Sequence, residues 1–132
     1  MAQGMRVEFD NPERTVIRWD FRGRWTWDDW YVNVQQVLAL RFEVDGKPVV
    51  PIILNFRHSG PLPLGALPHA RATVEHMNLY DFVVVAHASG YVRSMIETFR
   101  LLNPSFQHRI LMVDTLDEAR ALIADKMQNQ QA

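Results

Sequence analysis

The chain has 132 residues, a formal net charge of -1 and no cysteine. This length suits one domain that buries roughly two-thirds of its unfolded surface unaided, and the lack of cysteine excludes disulfides, thiol nucleophiles and thiolate metal sites. The near-neutral charge argues against nucleic acid as a partner. No apolar run approaches the roughly 18 residues that span a bilayer, and Met1-Ala-Gln-Gly4 lacks a signal-peptide layout, so a cytoplasmic, non-membrane-spanning protein is expected.

Met5 to Asp10 reads as a short strand, and Asn11-Pro12 as a turn. Thr15 to Phe21 is a second strand, with Ile17, Trp19 and Phe21 on one face and Val16, Arg18, Asp20 and Arg22 on the other, wetter face. The short connection predicts an antiparallel hairpin. Thr26 with Asp29 forms a capping box for a helix to about Phe42. Its inward stripe is Trp27, Trp30, Val34, Val37, Leu38 and Arg41, and Asp45-Gly46 ends the segment. Val49 to Phe56 is nearly all apolar, as a central parallel strand covered on both faces requires. Arg57 to Gly65 is expected to be a loop. Pro68 suits the first turn of a second helix, whose stripe is Leu67, Ala70, Val74 and Met77.

Asp81 to Met127 carries the clearest pattern. A β-rich run, Phe82 to Ala86, is followed by Ser89-Gly90 and a helix from Tyr91 to Leu102. That helix is expected to bury Val92, Met95, Ile96, Phe99 and Leu102, leaving Arg93, Glu97 and Arg100 wet. Arg109 to Val113 is the last strand. Thr115 and Glu118 cap a final helix with Leu116, Ala119, Leu122 and Ile123 inward. The predicted fold class is α/β in the order β-β-α-β-α-β-α-β-α. It is a mixed five-stranded sheet with four helices and right-handed crossovers. Residues 1–127 form one domain, and the polar stretch 128–132 is expected to be a disordered tail.

Val83-Val-Val-Ala-His-Ala-Ser-Gly-Tyr-Val-Arg93 and Asp114-Thr-Leu-Asp-Glu-Ala119, set in this order of elements, resemble the STAS domain family (sulfate transporter and anti-sigma factor antagonist), especially its SpoIIAA-like branch. The resemblance covers most of the chain from about Thr15. It implies a STAS-like fold and a regulatory or protein-binding role without catalysis or cofactor. In anti-sigma antagonists an Asp-Ser-Ser-Gly-Leu-Gly motif carries a phosphorylated serine. Leu64-Gly65-Ala66-Leu67 matches its Leu-Gly end, but Pro61 and Leu62 stand where the serines belong, and Asn55 replaces an upstream aspartate. Ser59 is the loop's only hydroxyl, offset from the phosphoacceptor position.

The remaining chemistry is sparse. His69 and His76 share a helix face, but seven residues rise roughly 10 Å, too far for both to ligate one ion at about 2 Å. No metal site is predicted. His58-Ser59 has the residue types of a base and nucleophile, with Asp20 or Glu75 as conceivable orienting acids, but no G-x-S-x-G elbow surrounds Ser59. Ser59-Gly60 and Ser89-Gly90 precede helices at strand ends, where anions bind, yet neither has a phosphate-loop sequence.

Trp19 and Trp30 read as core, and Trp25 and Trp27 as reaching the surface. Tyr31, Val32 and Leu40 lie off the first helix's stripe, an apolar surplus that predicts a homodimer contact or a pocket. The leading expectation is a non-enzymatic module that presents Arg57–Gly65 to a protein partner. The alternative is a carrier or sensor of a small apolar or amphipathic ligand, held between that loop and the first helix. The candidate binding residues are Arg57, His58, Ser59, Leu62, Leu64, Trp27 and Tyr31.

Overall fold

A computed structural model describes residues 5–44, 46–76 and 81–131. The expectations for Asp45 and Met77 lie outside the described residues. The element order is β1 (Met5–Phe9), β2 (Ile17–Gly23), α1 (Trp27–Glu43), β3 (Pro51–Ser59), α2 (Ala66–Val74), β4 (Phe82–Ala86), α3 (Gly90–Leu102), a 3-10 turn (Pro104–Phe106), β5 (Ile110–Val113) and α4 (Leu116–Gln131). The helix α4 therefore continues through Gln128 to Gln131, which the sequence reading leaves as a tail.

The five strands lie in the order β1-β2-β3-β4-β5. β1 is antiparallel to β2, and β2 through β5 are mutually parallel. The hairpin turn is built by Asn11. Its Oδ1 accepts the Thr15 and Val16 N–H groups at 3.0 and 3.1 Å, so β2 begins at Ile17 and not at Thr15. β2 and β3 slip in register between Asp20 and Arg22, after which Arg22 pairs with His58 and Gly23 with Ser59. Arg57, His58 and Ser59 are thus strand, a correction to the loop expectation. The polar side chains hide a segment whose backbone is paired.

Each parallel strand lies beside the one before it, so the three crossovers step the same way along the sheet. With one handedness they must put α1, α2 and α3 on the same face. The contacts agree. Ile17, Trp19, Phe21, Ile52, Phe56, Val83 and Val85 form one core with Trp30, Val34 and Val37 of α1 and Val92 and Phe99 of α3. Leu67, Ala70 and Val74 of α2 pack against it. Among the described residues the opposite face has α4 alone, where Ile53, Phe82, Val84 and Ala86 meet Ala119 and Ile123. β3 is central and its apolar part is covered on both sides, as its continuous apolar run requires.

The α4 face of β1 and β2 holds ion pairs instead. Arg18 pairs with Glu8, Asp10 and Asp20, and Arg120 of α4 reaches Asp10 with two hydrogen bonds of 2.9 and 3.0 Å. Asp20 also accepts from Asn55 Nδ2 at 2.8 Å and is buried, which corrects its assignment to a wet face. Burial pushes the Asp10 carboxyl upward, but hydrogen bonds and charge from Arg120 and Arg18 outweigh it and hold the group below its usual value.

The Thr26–Asp29 capping box is complete. At α4, Thr115 Oγ1 accepts Glu118 N–H, but Glu118 reaches back to Asp114 N–H, one residue earlier than a full box requires. His87, in a left-handed conformation at φ 59°, completes that start by accepting Leu116 N–H on Nε2 at 3.1 Å. Two further burial expectations are corrected. Leu102 is 63% exposed, because Phe106 of the 3-10 turn comes back beside Phe99, with ring centroids 6.2 Å apart. Trp25 is buried, not superficial, since it packs against Phe21 and Trp30.

Candidate functional site

An apolar cavity of about 170 Å³ lies between the sheet and the three-helix layer. Its floor is made by alternate residues of the parallel strands: Trp19, then Ile52, Leu54 and Phe56, then Val83 and Val85. The i, i+3, i+4, i+7 spacing of Trp27, Trp30, Val34, Val37 and Leu38 brings one stripe of α1 to its wall. Val92, Met95, Ile96 and Phe99 do the same from α3, and Leu67, Ala70 and Val74 from α2.

Rings crowd one end. Trp19 lies 4.7 Å from Phe21 and 4.6 Å from Trp30, and Phe21 stacks on Phe56 at 4.3 Å. The four indole N–H groups have different fates. Trp25 donates to Ser59 Oγ at 3.1 Å, Trp27 to the Leu64 carbonyl at 2.5 Å, and Trp30 to Thr73 Oγ1 at 2.7 Å. Trp19 Nε1 is buried with no partner among the described residues.

These bonds attach α2 and its leading loop to α1. Tyr31 Oη and His69 Nδ1 are 2.7 Å apart, and the His69 ring stacks on Trp27 at 4.5 Å between centroids. Thr73 Oγ1 donates to the His69 carbonyl at 2.8 Å while accepting from Trp30. α2 is preceded by Gly65, φ 86°, as an N-cap without a side-chain hydrogen bond, and it buries only Ala66 fully. It is a short cover held by polar and ring contacts to α1 and by half-buried apolar contacts beneath.

Charge on the cavity wall is self-neutralised. Arg41 Nε donates to Asp81 Oδ2 at 2.6 Å. Asp81 is 2% exposed, and its Oδ1 accepts Val50 N–H at 2.9 Å. Arg41 also donates to the Lys47 carbonyl at 3.1 Å. In the sequence Arg41 reads only as the polar member of an apolar stripe; its partner is forty residues away.

The structure divides the predicted site residues. Leu62 and Trp27 line the cavity, and Tyr31 fastens the α2 cover. Ser59 Oγ accepts from Trp25 and donates to the Gly60 carbonyl at 2.9 Å, so it anchors the β3 end. Arg57 and His58 are exposed, and Leu64 is 89% exposed. The hypothetical triad is not assembled. His58 and Ser59 are consecutive on a strand and face opposite ways, Asp20 is engaged by Arg18 and Asn55, and Glu75 lies near Arg71 on the surface. Ser89 is the cap of α3, accepting Val92 N–H at 3.3 Å. The cavity lies deeper than the expected position between loop and first helix, because α2 and α3 also line it. Their residues read individually as core, and nothing local in the sequence marks a space between them.

No family model matches the chain, and no match to it is found among curated proteins.

Proposed function

We propose that the protein is a non-catalytic binding module, a carrier or sensor that encloses a small apolar ligand between its sheet and α1, α2 and α3. The carrying observation is the cavity of about 170 Å³ with its almost wholly apolar wall. Close-packed interiors keep few voids larger than a water molecule, and a concave apolar space with a few polar groups is the usual form of a small-molecule site. The resemblance of the chain to STAS domains supports a module without chemistry of its own. A serine switch gains little support, since the Ser59 hydroxyl is bonded on both sides. Native mass spectrometry of the protein purified under gentle conditions tests the reading. A bound small molecule, released by denaturation, is expected; a ligand-free protein that also fails to bind added apolar compounds would reject it.

One observation favours a protein partner as a second reading. Leu64 is 89% exposed while its own carbonyl is fixed by Trp27, so an apolar side chain is presented on an anchored backbone. Self-association through α1 draws less support. Tyr31 and Leu40 are half-buried against the core, leaving Val32, 56% exposed, from the expected surplus. A crosslinking comparison of the wild type with Leu64→Ser tests the partner reading; identical partner profiles would remove it.

A further inference from the structure

Resting on the ligand-binding reading, we infer that the cavity takes an uncharged, compact aromatic molecule of about one ring, and not a long acyl chain or an ionised one. Three observations carry this. The first is size. An engineered cavity of about 150 Å³ holds benzene, and this one is about 170 Å³, less than a long acyl chain occupies. The second is charge. The charged side chains on the wall, Arg41 and Asp81, already hold each other at 2.6 Å. Burying an ionised ligand beside a neutral pair leaves its charge without a partner, which is strongly unfavourable. His76, also at the wall, is exposed and stays hydrated.

The third observation is the character of the wall. Trp19, Trp27, Trp30, Phe56 and Phe99 all border the space. Aromatic rings prefer offset or edge-to-face neighbours, and such pairs add to simple burial. Of the three bordering indole N–H groups, two are spent on Leu64 and Thr73 and Trp19 Nε1 alone is left without a partner among the described residues, so the wall selects mainly by shape and ring contact.

The test uses the full chain labelled with nitrogen-15 and follows its four indole N–H signals. Ethylbenzene is expected to move the Trp19, Trp27 and Trp30 signals saturably and the Trp25 signal least. The anion 3-phenylpropionate, of similar size, should bind at least about tenfold more weakly. Val37→Phe, which puts a ring into the wall, should weaken ethylbenzene binding by about tenfold or more with the amide spectrum preserved. Should that variant misfold, the ligand comparison on the wild type decides alone. Equal or tighter binding of 3-phenylpropionate overturns the inference. Binding of palmitate but not ethylbenzene overturns it too, while leaving the carrier reading standing. Silence of all four signals toward all three compounds overturns both.

Discussion

At the scale of single residues, the tryptophans give the sharpest contrasts. Trp19 and Trp30 are similarly buried, at 3% and 8% exposure, but only Trp30 Nε1 has a partner, Thr73. Replacing either with phenylalanine removes comparable apolar area. Trp30→Phe also breaks a hydrogen bond, whereas Trp19→Phe relieves an unpaired buried donor, a difference of about 1–3 kcal/mol. Urea melts should therefore find Trp30→Phe the more damaging by at least about 1 kcal/mol; equal losses would contradict the hydrogen-bond assignment. Gly60 is constrained by space. A Cβ there would stand 2.7 Å from the Gly23 carbonyl oxygen, a backbone atom, which also accepts Gly60 N–H at 2.8 Å. Gly60→Ala should cost about 1–3 kcal/mol in the same melts, through separation of β3 from the segment entering α1.

At the scale of elements, α3 offers a test of its faces. Phe99→Ala should destabilise by about 3–5 kcal/mol. Leu102→Ala, at the exposed end, and Arg93→Ala, in a surface pair with Asp114, should each cost about 0.5 kcal/mol or less. A large Leu102 effect in denaturant melts would place that turn in the core after all. The pairing of α4 with the β1–β2 hairpin through Asp10 predicts an acid dependence. The Asp10 carboxyl is held below its ordinary value of 3.8. Its contribution is fully present above that value and is lost as pH falls through the lower, folded-state value. Asp10→Asn should lower stability at neutral pH and flatten the acid limb of stability against pH; an unchanged limb would assign it to other carboxylates.

Elements were legible where their signals are local. Thr26–Asp29 and Ser89 announce helix starts within four residues, and the apolar run through Phe56 announces a doubly covered strand. The extension of β3 through Ser59 was not legible, because only the register slip against β2 makes Arg57 and His58 strand. Leu102 was misassigned for a similar reason: the helical period extends to it, but Phe106 returns from a separate turn to the place beside Phe99. The cavity was least legible of all. Leu62 and Trp27 belong to it, but its outline depends on how far three helices stand from one sheet, and each wall residue carries the same apolar signature as close-packed core.

At the scale of the whole molecule, an apolar space of about 170 Å³ leaves its wall atoms without the close contacts of a packed core. Ala70→Leu, half-buried on the α2 wall, should raise the midpoint of thermal unfolding and weaken ligand uptake together. A stabilised variant with unimpaired uptake would separate the void from the binding site.

The sequential strand order has a consequence for synthesis on the ribosome. Every strand pairs with the one translated just before it, so the sheet can grow as the chain emerges, with each crossover helix settling on the same side. The other side waits. Ile53, Phe82, Val84 and Ala86 have no helical cover until Ala119 and Ile123 arrive with the last segment. A nascent chain stalled before Leu116 would display that sticky surface to its neighbours on the polysome. Truncation after Thr115 should accordingly give a product that binds a hydrophobic dye and sediments as aggregate, and supplying residues 116–132 as a separate peptide should return part of it to solution.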